Sequence, residues 1–158
     1  MTTNANRANE TILYPFMNFN FAVEIDVDTV SKMVCSAAFS ECDGLEMTME
    51  VKTIREGGNN GQQIRFTGPV SYGQLTLRRG ITNSFDLWNW FDAMVMNVRL
   101  RAQAEVVIFA GDGQTRLTSF VLTNCIPTRL KAPTLNATDG KVAVEELQLA
   151  YESLKRKP

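Results

Sequence analysis

Histidine is absent from the 158 residues, which removes the side chain that most often serves as general base near neutral pH and as a metal ligand. Serine and cysteine triads that depend on an imidazole, HExxH zinc sites and histidine switches are excluded with it. Only three cysteines occur, Cys35, Cys42 and Cys125. No CxxC spacing joins them, so they signal neither a zinc site nor a closed disulfide framework. They are expected to be buried free thiols in a reducing compartment, since free cysteine packs as a small hydrophobe. Excess charge of either sign is also missing: 16 basic residues nearly cancel 17 acidic ones, leaving a formal net charge of -1. No global field then draws the protein onto a nucleic-acid backbone. No run approaches the roughly 20 apolar residues of a membrane helix, so no direct membrane insertion is expected. The polar start, Met1 to Glu10, has no apolar core of a secretory signal, so synthesis and assembly are expected in the cytoplasm.

What is present is alternation. Phe19, Phe21, Val23 and Ile25 alternate with Asn20, Ala22, Glu24 and Asp26. Leu45, Met47, Met49 and Val51 alternate with Glu46, Thr48, Glu50 and Lys52, and Leu75 and Leu77 with Thr76 and Arg78. A two-residue period places these on opposite faces of half-buried strands. The apolar run ending at Phe109, the Gly111-Asp112-Gly113 turn and the stretch from Thr115 to about Thr123 make a hairpin. In the last strand Val142 and Val144 share one parity while Leu147, Leu149 and Tyr151 share the other. A bulge at Glu145-Glu146 is expected to restore a single apolar face, with the two carboxylates solvated.

A single segment, about residues 84–97, prefers a helix. Leu87, Trp88, Phe91, Met94 and Val95 form its stripe, Asn83 or Ser84 is placed to cap it, and Trp90 lies off the stripe, facing either a core or a partner. With strands nearly everywhere else, the fold class is mainly β: a barrel-like β-sandwich with one docked helix, forming one domain over 1–158. Around that domain lie a polar N-terminal segment (1–13), a Gly-rich loop (55–63) and a basic C-terminal tail (152–158) carrying Lys155, Arg156 and Lys157.

Motifs for chemistry are few. The loop with Gly57, Gly58 and Gly61 lacks the GK[ST] ending and the GxGxxG spacing of phosphate cradles, and reads as a solvated turn or as an arm that orders against a neighbouring subunit. Gly111-Asp112-Gly113 lacks the spaced acids of a calcium loop and reads as a tight turn. No residue set nominates a catalytic, cofactor-binding or metal site, so no cofactor is expected. Residues 20–50 hold seven acids and one lysine and residues 51–80 five bases and one acid. These segments either mix into one solvated surface or, placed at opposite ends of the domain, let copies stack head to tail.

In this order the segments resemble the tail-tube proteins of contractile phage tails and of phage-tail-like contractile injection systems, over roughly residues 14 to 154. The resemblance is carried by Asp43-Gly44-Leu45, then Arg55-Glu56-Gly57-Gly58-Asn59, then Leu75-Thr76-Leu77-Arg78-Arg79-Gly80-Ile81 and Leu87-Trp88-Asn89-Trp90. Asn124-Cys125-Ile126-Pro127-Thr128-Arg129-Leu130, Pro133 with Leu135-Asn136-Ala137, and Val142-Ala143-Val144-Glu145-Glu146-Leu147 complete it. The chain departs from the family at Ile54 and Ile126, where relatives tend to carry an aromatic. The resemblance implies a non-enzymatic subunit of hexameric rings, stacked head to tail into a hollow tube. A sheath surrounds that tube, baseplate and tube-cap proteins close its ends, and cargo protein or DNA occupies the lumen. Under it, Arg55, Glu56, Gly57, Gly58, Asn59 and Asn60 reach an adjacent subunit, Trp88 and Trp90 lie on the subunit interface as part of a helix bracing the sheet, and Thr76 and Arg78 line the lumen. Alternative readings are a minor tube-initiating or capping paralogue, a flavin- or small-ligand-binding β-barrel enzyme, and a solitary adaptor barrel.

Overall fold

Alternating sequence becomes strand through most of the chain in the computed structural model, which describes residues 20–27, 32–58 and 61–158, with backbone alone over 32–37. The elements are β1 (Phe21–Val27), β2 (Lys32–Ala37), β3 (Glu41–Asp43), β4 (Met47–Ile54), β5 (Ile64–Tyr72), β6 (Gln74–Gly80), α1 (Asp86–Met96), β7 (Ala102–Phe109), β8 (Arg116–Lys131), β9 (Val144–Ala150) and β10 (Ser153–Lys157). The expected segment 1–13, Phe19, the Cys35 side chain and Asn59 and Asn60 lie outside the described residues.

The strands form two antiparallel walls that share β8. One wall runs β2-β1-β7-β8-β10, and the other runs β8-β9-β6-β3. β8 bends between them at Asn124, whose φ of 53° lies in the left-handed region that asparagine tolerates better than most residues. Its amide donates to Glu152 Oε2 at 2.8 Å, and Glu152 N donates back to Thr123 O at 3.0 Å. The β9–β10 corner thus turns alongside the bend in β8. Val23, Ile25, Ala104 and Leu122 from one wall meet Leu75, Leu77, Leu147 and Leu149 from the other in one core, and each fully buried leucine stabilises the fold by about 1.5–3 kcal/mol. The result is the expected β-sandwich with a docked helix. Among the described residues its walls do not close into a barrel, because β2 and β3 end the strand order.

Four expectations need correction. First, β9 pairs with β6 without interruption from Gln74↔Ala150 to Gly80↔Val144, so no bulge occurs at Glu145-Glu146. The parity conflict is resolved by burying Glu145 on the apolar face with Leu147 and Leu149 and leaving Val142 and Val144 outside. Second, the C-terminal basic stretch is exposed at Lys155, Arg156 and Lys157 but is a paired strand and no free tail: β10 pairs along β8, the Thr118 hydroxyl donates to Lys157 O at 2.6 Å, and Arg156 Nε donates to Thr118 Oγ1 at 3.1 Å. Third, the acidic and basic segments are interleaved instead of lying at opposite ends, since β3 pairs with β6 and β4 with β5. Fourth, α1 starts from Phe85 without a side-chain cap and buries Leu87, Trp90 and Met94. The helix is rotated relative to the expected stripe, so Trp90 faces the core and Val95 faces solvent. The hairpin turn is as expected: Asp112 Oδ1 accepts from Gln114 N and Thr115 N, and Oδ2 accepts from the Thr115 hydroxyl at 2.6 Å. The Thr115 hydroxyl, with these amides, holds the Asp112 carboxyl down at about 2.

Candidate assembly surfaces

β3 and β6 pair at the edge of the second wall, and their continuations β4 and β5 pair only with each other. The four segments therefore form one long hairpin that changes direction at Gly44 and Gly73. Gly44 has φ +97°, and a Cβ there would lie 1.9 Å from Gln74 O; a Cβ on Gly73 would lie 2.6 Å from Glu46 Cγ. No other residue type fits both demands at Gly44. The bend is held from the opposite side by Tyr151, whose hydroxyl sits 2.8 Å from Gly44 O and 3.0 Å from Glu46 O and accepts from Glu46 N at 3.1 Å. Its ring lies against Tyr72, with centroids 5.7 Å apart.

Beyond this root the arm has apolar side chains and no core. Every residue of β4 is exposed, Met47 at 62% and Phe66 on β5 at 50%, so the expectation of a half-buried strand fails here. Cross-strand partners share a face. Met47 with Tyr72 and Met49 with Val70 make one face near the root, which Val51 extends. After an irregularity at Gly68-Pro69, Lys52 with Phe66 and Ile54 with Ile64 make the other face near the tip. A bulge flips one strand's parity, so the apolar surface passes from one side of the arm to the other. Arg55, Glu56, Gly57 and Gly58 are exposed at the tip, and a Cβ on either glycine would meet open space.

The second wall's outer face is polar and ordered in rows. Glu41, Arg78, Glu146 and Lys131 stand in register across β3, β6, β9 and β8, and Asp43, Thr76, Gln148 and Arg129 form the next row. Arg78 bridges Glu41 and Glu146, each at 2.9 Å, and its guanidinium, with some help from Arg129 and Lys131, holds the Glu146 carboxyl below the usual carboxylate range. Thr76 and Arg78, expected to share a polar face, do share this one. Between the rows and the following loop lies an open groove of about 460 Å³, lined by Ser40, Glu41, Arg78, Lys131, Val144 and Glu146 among others.

The helix is tied to the inner side of the same wall by charge. Arg79, 5% exposed, donates to Glu145, 1% exposed, and pairs with Asp86 in the first helical turn; Trp88 Nε1 donates to the second Glu145 oxygen at 3.1 Å. Burial pulls the guanidinium down, but Asp86 and Glu145 more than reverse this and hold it above its ordinary range. Phe39 lies under the guanidinium at 5.6 Å. Trp90 is only 3% exposed and sits in the subunit's own core, its Nε1 without a hydrogen-bond partner among the described residues. It is therefore withdrawn from the expected interface set, and Trp88 is half-buried with its N–H taken by Glu145. The Arg79 network escaped the sequence reading, although its signal was present: Arg79 ends the run Leu75, Leu77, and Glu145 starts the run Leu147, Leu149, so opposite charges occupy core parities of paired strands. Cys125 is fully buried in the core; burial of Cys42, with Asp43 beside it, pushes the Cys42 thiol up to about 11. Among the described residues no cluster of three metal-ligating side chains occurs, and no helix is long and apolar enough to cross a membrane.

A sandwich whose wall edges are unpaired among the described residues, with a charged face and an exposed apolar arm, has the build of a structural subunit. The model of the T4-like virus tail tube protein gp19 family matches residues 17–155, and the chain belongs to that family. It is a tail-tube protein, a structural component of a phage-tail-type particle. Among solved structures, a chain of the anti-feeding prophage baseplate matches with a TM-score of 0.81 at 24% identity, over 92% of this chain and 97% of that one. A chain of the PVC sheath-tube complex, an extracellular contractile injection system in its extended state, matches with a TM-score of 0.79 at 21% identity, over 92% and 93%. The tube terminating cap of the anti-feeding prophage matches with a TM-score of 0.78 at 21% identity, over 99% of each chain. At these identities the likeness is one of fold. Among curated proteins, none matches.

Proposed function

We propose that copies of this chain form hexameric rings that stack head to tail into the hollow tube of a contractile tail or injection system. A sheath lies outside, baseplate and cap proteins lie at the ends, and cargo protein or DNA passes through the lumen. The observation that carries this reading is the arm. An apolar hairpin left uncovered by the other described residues gains stability by covering those side chains on another chain, and a heterologous contact of this kind propagates into a ring or filament. In this reading the tip at Arg55, Glu56, Gly57, Gly58, Asn59 and Asn60 reaches an adjacent subunit, and the charged face with Thr76 and Arg78 lines the lumen. α1, locked by Arg79 and Glu145, braces the opposite side.

Negative-stain microscopy of the purified chain across a concentration series tests the proposal. Rings or stacked tubes are expected, and a chain that stays monomeric at every concentration refutes it. Arg55→Ala combined with Glu56→Ala should leave soluble, folded subunits with few tubes; normal tube yield would remove the tip from the contact.

A further inference from the structure

On the second wall the charges are sorted from edge to edge. Glu41 and Asp43 stand on β3 at one margin, Arg129 and Lys131 stand on β8 at the other, and Arg78 and Glu146 lie between. The six formal charges cancel. Arg78 already pairs with both acids beside it, whereas no ion pair of Arg129 or Lys131 occurs among the described residues. Both cations are exposed, as are Glu41 and Asp43. No described strand pairs with the outer side of β3, or with residues 126–131 of β8 on the side away from β9.

The order β3-β6-β9-β8 holds four strands, all antiparallel. An even number matters: a second copy related by rotation presents its β3 antiparallel to this chain's β8, so the alternation continues across the boundary. Antiparallel placement sets Lys131 against the next copy's Glu41 and Arg129 against its Asp43, the same rows that already run within one chain. A stagger of two residues, of the kind barrel closure requires, still leaves one base against one acid.

We infer that the β8 margin of one copy receives the β3 margin of the next through these charges, with Lys131 and Arg129 paired to Glu41 and Asp43 between subunits. The inference rests on the tube reading and names the contact that orders its subunits. Each chain then carries one acidic and one basic margin, and like margins repel, so a reversed or back-to-back neighbour is disfavoured. Around a closed ring the Glu41 row alternates in sign without a break and the Asp43 row sets an acid against a base at each margin, leaving the wall's face neutral.

Two variants of the full chain test this. Arg129→Glu with Lys131→Glu makes both margins acidic, and Glu41→Lys with Asp43→Lys makes both basic. Each variant alone is expected to need at least about tenfold more protein than wild type for half-maximal assembly at low salt, measured by light scattering and microscopy. An equimolar mixture should regain assembly, because the two variants can alternate around an even-numbered ring. Wild-type assembly by either variant alone, or a mixture no better than its components, overturns the inference. A wild-type chain that stays monomeric instead refutes the tube reading beneath it. If reversal unfolds the subunit by circular dichroism, Arg129→Gln with Lys131→Gln decides: its assembly should lose the salt dependence of wild type, and an unchanged salt dependence overturns the inference.

Discussion

Leu75 and Leu77 on β6 and Met47, Met49 and Val51 on β4 follow the same two-residue period, yet the first pair is fully buried and the second set stands in solvent. The two groups belong to one hairpin, divided only by the bend at Gly44 and Gly73. On the sandwich side of the bend, a second wall and a helix cover the apolar face. On the arm side no other described residue does. Alternation therefore specifies a strand with one apolar side; which surface meets that side is decided by where the chain turns away from its own core.

This contrast is best broken from the sandwich side. Glu145→Ala would take from the buried Arg79 guanidinium one of its two carboxylate ion pairs and deprive Trp88 of its acceptor. The expected loss is about 3–5 kcal/mol of subunit stability in denaturant titration, and a loss below about 1 kcal/mol would show that the network contributes little. At the bend itself, Tyr151→Phe keeps the ring and removes the hydroxyl between Gly44 O and Glu46. A cost of about 1 kcal/mol is expected, with faster amide exchange at Glu46 and Gly73; unchanged exchange there would mean the glycines alone set the bend. Smallest of all for the isolated subunit is the combined Met47→Ser, Met49→Ser and Val51→Ser variant. Its unfolding free energy should move by no more than about 0.5 kcal/mol per site, as for surface substitutions, while assembly is lost. Destabilisation on the scale of a core deletion would show that these side chains pack within their own chain.

Much of the architecture was legible because it depends on local rules. The β7–β8 hairpin follows from the Gly111-Asp112-Gly113 turn, and α1 from the spacing of Leu87 and Met94. What stayed hidden depends on contacts distant in sequence. Trp90 enters the core on a helix whose first turn is held to β6 by the Arg79–Asp86 pair, and β9 joins the same network through Glu145. The continuation of β8 to Lys131 past a left-handed Asn124 cannot be read from alternation, since the bend interrupts the parity. For the assembly surfaces, the sequence marked the arm's tip through Arg55, Glu56, Gly57 and Gly58 and placed Thr76 and Arg78 on a polar face. It did not mark Glu41, Arg129 or Lys131, whose meaning lies in their register across four strands.

The bend at Asn124 also bears on mechanics. Because one continuous backbone runs through both walls, sliding one past the other would require deforming a covalent strand rather than shearing side chain over side chain. A force applied at the arm enters β6 and passes through β9 into that strand by ladders of backbone hydrogen bonds. Such a piece behaves as a folded bracket, resisting distortion by its own connectivity.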